Sequence, residues 1–301
     1  MKRFIGVRIL QSLLCLWAVS LIVFLVVRLS GNPLDLLLPA EATEKDRAVM
    51  MRELGLDRSM PAQYGAFLSK VIRGDFGTSI RTRRPALDLF VERLPATLEL
   101  GFVAMVVSLA IALPIGVYSA AKRGSPIDWF GRGIAVLGQS FPVFWLGLML
   151  MLVFAVGLGL LPTSGKGGPL TFIMPAITLG WYVAAGVMRL TRSAMLDVLD
   201  SDYIRLARAK GVSQSRVLWR HAFKNASLPV LTFSAVMLVH LFTGSVITET
   251  VFSWPGVGRL VIDAIKWRDY PLVQTCVILM SAMYIVANLA ADIMYAYVDP
   301  K

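Results

Sequence analysis

Apolar residues run through this chain in long blocks, and most of the charge collects in the stretches between them. Six blocks reach the roughly 20 residues that a helix needs to cross a hydrocarbon layer. They lie at about 9–29, 97–121, 134–158, 171–190, 228–249 and 272–298. Inside lipid the backbone must satisfy its own hydrogen bonds, which leaves only helices or closed barrels. The period-two alternation of a membrane barrel is absent, so the pattern predicts an all-α integral membrane protein. Pro114, Pro142 and Pro175 fall within or near the blocks, where membrane helices tolerate them better than soluble ones do. The first block is preceded by Lys2, Arg3 and Arg8. It lacks a small-residue cleavage site, and Arg28 to Pro33 reads as a membrane exit, so we expect a retained span.

The polar stretches set the orientation. Lys2, Arg3 and Arg8 form one cationic group, and Lys122, Arg123 and Arg132 a second. Arg189, Arg192, Arg205, Arg208, Lys210, Arg216, Arg220 and Lys224 form a third. All three fall on one side of a six-span layout, and basic loops stay on the cytoplasmic side. Both termini are therefore expected there. The segment 30–96 holds ten Lys and Arg, but it is long and nearly balanced by acids, and such loops translocate largely regardless of charge. It reads as an external helical segment. Thr43 can cap one helix, with Asp46 three residues on and Gly55 as its stop. Ser59 before Met60-Pro61 opens another, on which Tyr64, Phe67, Leu68, Val71 and Ile72 form an apolar stripe that Gly74 ends. This cap is too small for an independent domain, so residues 1–301 read as one transmembrane domain.

Composition sharpens the class. The chain is 56% hydrophobic and 16% charged, with a mean hydropathy of +0.68. A net charge of +11 would point to nucleic acid in a soluble protein; here the cationic loops and the membrane lipid account for it, and no nucleic-acid partner is expected. Cys15 and Cys276 lie in apolar runs and read as free thiols packing as small hydrophobes.

The stretch 189–225 is the one loop with a design of its own. Ser201 or Asp202 can cap a helix from Tyr203 to Lys210 that stops at Gly211, and Ser213 can cap a second from Gln214 to about Asn225. On the first, Tyr203, Leu206, Ala207 and Lys210 share a face. Ala207 and Ala209 keep the rod thin, and Arg205 and Arg208 stand ready for carboxylates. Two readings fit: a docking element for a soluble partner, or an amphipathic helix resting on lipid phosphates.

Four polar residues lie in or at the ends of the spans: His240, Glu249, Asn288 and Asp292. Polar groups at depth face a bundle interior or water, so these are candidates for a solute pathway or a subunit seam. Interhelical hydrogen bonding is the alternative, and Glu249 fits a solute-facing mouth or a helix end equally well. Chemistry beyond this is missing. Gly159 to Lys166 is one residue too long for a phosphate-binding loop, and Gly167 stands where Ser or Thr should ligate Mg²⁺; it reads as a flexible external turn. No Cys/His cluster supports a metal site, and no nucleophile elbow is present.

The loop resembles a known family. Asp202-Tyr203-Ile204-Arg205-Leu206-Ala207-Arg208-Ala209-Lys210-Gly211, followed by Leu228-Pro229, is similar to the coupling loop of permease subunits of ATP-binding-cassette importers. It is most similar to the oligopeptide/dipeptide branch, since Arg205-Leu206-Ala207 stands where the general motif has Glu-Ala-Ala. Further blocks match that branch: Leu54-Gly55-Leu56-Asp57 and Gly74-Asp75-Phe76-Gly77-Thr78-Ser79 in the external segment, Leu94 to Leu100, and Phe141-Pro142-Val143-Phe144-Trp145-Leu146-Gly147. Glu249 to Leu260 and Arg268-Asp269-Tyr270-Pro271 match its last external loop. The resemblance spans nearly the whole chain, and the long external segment fits the first of two paired permeases.

The resemblance implies a six-helix type I importer transmembrane domain in a bacterial inner membrane. It implies a second permease, two ATP-binding subunits that hold ATP and Mg²⁺, and an external solute-binding protein. Asp202, Tyr203, Arg205, Ala207, Arg208, Ala209, Lys210 and Gly211 would then form the ATPase-coupling surface, with no cofactor and no catalysis in this chain. The rival class, an ion-driven secondary transporter acting alone, is expected to show repeated halves with broken helices, and no such halves are visible here.

Overall fold

The computed structural model describes residues 2–29, 43–53 and 57–298. Among these, twelve helical elements follow one another: α1 Lys2–Leu29, α2 Glu44–Glu53, α3 Met60–Ile72, α4 Ala86–Ala121, α5 Pro126–Ser140, α6 Val143–Gly157, α7 Pro169–Leu199, α8 Asp202–Ala209, α9 Gln214–Thr243, α10 Val246–Val251, α11 Val257–Lys266 and α12 Tyr270–Val298. Five of them are long and apolar enough to cross a membrane: α1 (from Ile5), α4, α7, α9 and α12 (to Ala290). The remaining apolar block differs from the straight span expected at 134–158. It is a pair, α5 and α6, bent by 111° at the break between them. The cause is Phe141-Pro142: proline disfavours helical backbone in the residue before it, and Phe141 is extended (φ −85°, ψ 133°).

Other boundaries move for one reason: hydropathy marks where lipid begins, not where a helix begins. The second and fourth spans extend beyond their apolar blocks, to Ala86 and Leu199 respectively. The fifth runs over Gln214–Thr243 rather than 228–249. Cations on its exposed side do not interrupt the ladder, so the short helix expected from Gln214 to Asn225 is simply its first turns, with a π-helical stretch at Val217–Ala222.

By its internal contacts the chain divides into two compact units, 1–95 with 260–301, and 96–259. In the first, α1 packs along α12. Helix α3 lies against α1: Tyr64 and Phe67 meet Phe24 at 5.4 and 5.6 Å between ring centroids, and the Ser20 and Tyr64 hydroxyls share a 2.8 Å hydrogen bond. The expected start of α2 is present as a reciprocal cap. Thr43 Oγ1 accepts from the Asp46 amide, and the Asp46 carboxylate accepts from the Thr43 amide. The Thr43 hydroxyl also donates to that carboxylate at 2.7 Å, and this bond, with the Thr43 amide bond, holds the Asp46 carboxyl below the usual carboxylate range. Gly55 lies outside the described residues. Helix α3 ends as expected at Gly74, whose φ of +80° lets the Asp75 amide reach the Lys70 carbonyl at 3.0 Å.

In the second unit α7 is the hub. Small residues let its backbone approach its neighbours, the usual device where lipid gives no hydrophobic drive between helices. A Cβ at Gly180 would strike the Ser108 hydroxyl and the Ala104 carbonyl of α4. One at Gly138 of α5 would strike Ala185, and one at Gly186 would strike Phe233 of α9. The Ser108 hydroxyl donates to the Gly180 carbonyl across the α4–α7 contact at 2.8 Å.

Candidate functional site

Helix α8 is a protruding element held to the 96–259 unit by few anchors. Its one fully buried residue is Ile204, inserted among Val117 and Ala120 at the end of α4, Met195 and Leu199 at the end of α7, and Val217, Leu218, Ala222 and Ala226 of α9. The Tyr203 hydroxyl accepts a 2.7 Å hydrogen bond from Asn225 Nδ2. Beside that contact the rings of Tyr118, Trp219 and Phe223 meet edge to face, joining the start of α9 to the end of α4.

The ends of α8 are local constructions. Ser201 occupies the N-cap position, but its hydroxyl donates to the Val198 carbonyl at 2.6 Å instead of capping; Ser213 likewise makes no side-chain cap. The stop at Gly211 is as the sequence predicts. Its φ of +75° belongs to the left-handed region, where glycine carries no Cβ penalty. There the Gly211 amide donates to the Arg208 carbonyl at 2.9 Å and the Val212 amide to the Ala207 carbonyl at 3.2 Å. Val212 and Ala207 both pack against the cluster that holds Ile204, so the stop also docks the helix.

Of the face expected from spacing, Tyr203 (42% exposed) and Leu206 (56%) turn outward, with Lys210 beside them. Ala207 does not join them: it is half-buried against the cluster, because it lies near the Ile204 side of the rod. Asp202, Arg205, Arg208, Ala209 and Gly211 are exposed. Asp202 and Arg205 are 3.5 Å apart with both side chains largely in solvent, which contributes little. The outer surface of α8 is therefore two apolar side chains in a ring of cations.

The four polar residues of the spans scatter. Glu249 is fully buried, on the short helix α10 beyond the end of α9. Its Oε1 accepts from the hydroxyls of Thr97 (2.8 Å) and Ser245 (2.7 Å), and its Oε2 from the Arg259 amide at 3.0 Å. Thr97 in turn accepts from the Val257 amide, and the Trp254 indole donates to the Ala96 carbonyl. A Cβ at Gly256 would run into the Glu249 carboxylate, and one at Gly258 would crowd it at 3.0 Å. Glu249 is thus the centre of a packed turn. Asn288 is half-buried and donates to the Tyr284 carbonyl of its own helix, as a packing residue does. His240 is exposed on α9. Asp292 lies on α12 with its side chain outside the described residues.

Three features escaped the sequence reading. The turn at 159–166, expected to be flexible, is tied down: the Gly165 amide donates to the Phe252 carbonyl at 2.9 Å, and Lys166 pairs with Glu99 and lies over the Trp254 ring. In the other unit, Asp269 is a second buried carboxylate. It caps α12 through the Leu272 amide and accepts from the Ser79 hydroxyl and the Ile80 and Arg81 amides. The third is Asp128, a buried acid that accepts from Arg192, Ser119 and the Gly124 amide. The signal was available: Asp269 precedes Tyr270-Pro271, and proline in the first turn of a helix after an acid is a capping signature.

Comparison with known proteins identifies the family and the fold. The family of binding-protein-dependent transport system inner membrane components matches residues 112–301, and the N-terminal model of the same kind of component matches residues 1–101. The dipeptide transport system permease protein DppB of Escherichia coli (strain K12) is 40% identical over 316 residues, covering 94% of this chain and 93% of that protein. The glutathione transport system permease protein GsiC of Salmonella typhimurium is 40% identical over 301 residues, covering 100% and 98%. Among solved structures, an amino acid ABC transporter has a TM-score of 0.54 at 16% identity, covering 69% of this chain and 93% of its own. The MetNI methionine ABC transporter has 0.53 at 21%, covering 71% and 97%. The chain belongs to the family of binding-protein-dependent transport system inner membrane components, the permease subunits of ATP-binding-cassette importers.

Proposed function

We propose that this permease forms half of the translocation pathway of an ATP-driven importer of peptides or similar small solutes. Its partners are a second permease, two cytoplasmic ATP-binding subunits that carry ATP and Mg²⁺, and an external solute-binding protein. Relatives whose names specify dipeptide and glutathione transport support the substrate class, since both cargoes are short peptides. Both termini and α8 lie on the cytoplasmic side, following the distribution of basic loops.

The observation that carries the reading is the outer surface of α8. Two exposed apolar side chains, Tyr203 and Leu206, project from a thin rod and are ringed by Arg205, Arg208 and Lys210. An apolar pair inside a charged rim is the pattern of an interface centre. ATP-driven closure of the two ATPases moves this rod. Ile204, seated among the ends of α4, α7 and α9, hands the displacement to the bundle, an instance of a small shift amplified by a packed element. ATP hydrolysis resides in the companion subunits, and this chain contributes the path and the lever.

Leu206→Glu tests the reading, because it leaves the core of this chain untouched. The variant should insert and pair with the second permease normally, yet recover at least about tenfold less ATPase on purification, the scale of losing an interface anchor. Undiminished ATPase recovery, or solute uptake by the permease reconstituted with no ATPase at all, would overturn it and favour an ion-driven carrier.

A further inference from the structure

The strongest unassigned feature is a buried carboxylate at the end of the 96–259 unit that carries α8. Asp128 sits in the first turn of α5 and is 1% exposed. Its Oδ1 accepts from Arg192 Nε of α7 at 2.7 Å and from the Ser119 hydroxyl of α4 at 2.6 Å. Its Oδ2 accepts from Arg192 Nη2 at 3.1 Å and from the Gly124 amide at 3.0 Å, and it also meets Arg132 at 3.2 Å. One side chain therefore joins three helices and the turn between two of them. The backbones around it are close: a Cβ at Gly116 would strike Thr191, and one at Gly131 would press on Ile115.

Packing alone gives no reason for an ion here. A buried pair is roughly neutral compared with well-packed apolar residues, whereas its geometry is specific. The location supplies the reason. Ser119 lies between Val117 and Ala120, and Arg192 one turn before Met195; those three apolar residues help to seat Ile204 of α8. Helix α5 contributes no residue to that cluster among those described. Farther along, α5 packs on α7 by apolar contact, with Ala135 in the core beside Ala184 and Gly138 against Ala185. Its hydrogen-bonded link to the corner that seats Ile204 is Asp128, and after Ser140 the chain bends by 111° into α6.

We propose that Asp128 is a positioning residue for energy coupling: it locks α5 to the ends of α4 and α7, so that displacement of α8 moves α5 with them. The inference rests on the docking role proposed for α8. A fork-shaped guanidinium held on both carboxylate oxygens resists sliding and rotation. An amide in place of the carboxylate keeps shape and loses the charge-assisted fork.

The test uses the complete transporter, with both permeases, the ATPases and the binding protein, in nanodiscs. Hydrogen exchange is followed in the segments 126–140 and 202–211, nucleotide-free and with ATP plus vanadate. In the unmodified complex both segments should change on trapping. In Asp128→Asn the 202–211 response should persist, while the 126–140 response falls by about two- to thirtyfold, the range for residues that carry coupling between sites. Asp128→Glu should restore part of it, and Asp128→Asn with Arg192→Gln should match the single variant. A full 126–140 response in Asp128→Asn overturns the proposal. So does loss of protection in 126–140 before nucleotide is added, which would mark a merely structural role. If 202–211 fails to respond in the unmodified complex, the docking role itself falls.

Discussion

The turn around Glu249 and the rod α8 are both short helical stretches of the 96–259 unit, built on opposite principles. At Glu249 a buried carboxylate collects two hydroxyls and a backbone amide, and two glycines make room for it. Both carboxylate oxygens of Glu249 are taken by donors of this chain. At α8 a single isoleucine is buried, while Tyr203, Leu206 and three cations have their outer sides in solvent. A closed polar network fixes one geometry and costs much to disturb. A rod on one apolar plug keeps its outer surface free for a second protein, and moves when that protein moves. Both stretches belong to sequence blocks that resemble the importer permeases, yet the first is spent on folding, and the second is the surface proposed for contact.

Substitutions should separate the two principles, beginning with the most damaging. Glu249→Ala leaves the Thr97 and Ser245 hydroxyls and the Arg259 amide without their acceptor, at about 1–3 kcal/mol each before relaxation. The expected outcome is loss of folded permease, read as the recovery of monodisperse protein in detergent; recovery near that of the unmodified chain would refute the clamp. Ile204→Ala removes the plug, a change worth about 2–5 kcal/mol where a core residue is deleted. Because the loss is local, protease should cut within 201–213 while the melting temperature of the bundle moves little; a global drop without local cutting would count against a loosely held rod. Gly211→Ala must place a Cβ in left-handed backbone, at about 1–2 kcal/mol. It should weaken ATPase recovery less than Leu206→Glu, and equal losses would mean that the helix stop matters only as a surface. Leu206→Glu itself should shift stability by about 0.5 kcal/mol or less, so that thermal melting stays unchanged while partner recovery collapses.

The acid at 128 adds a third principle between these two. It is as buried as Glu249 and, like it, gathers donors from distant segments, but here an arginine of α7 grips both carboxylate oxygens, where Glu249 receives only hydroxyls and a backbone amide. Its role was not legible from sequence. Asp128 and Arg192 are 64 residues apart, and a single acid after Ser125-Pro126 looks like a helix start; indeed the Ser125 hydroxyl accepts from its amide. The same limit applied to Glu249, for which a mouth residue and a helix end read equally well, since Thr97 and Arg259 meet it only in the fold. The break at Phe141-Pro142 was legible in principle, but the apolar block ran straight through it. The half-burial of Ala207 was not legible: i, i+3, i+4 spacing marks a face and does not say how far the neighbouring cluster reaches around the rod.

Much was fixed by the chain alone. Long apolar blocks demand helices, because lipid offers the backbone no partner. Glycine at 74 and 211 demands the left-handed turns that end α3 and α8, because other residues carry a Cβ into that conformation at a cost. Tertiary structure decided which polar groups are consumed and which remain available. That depends on donors and small residues brought together from distant segments, and hydrogen bonding in a dry interior is decided by distance in space, which spacing along the chain does not encode.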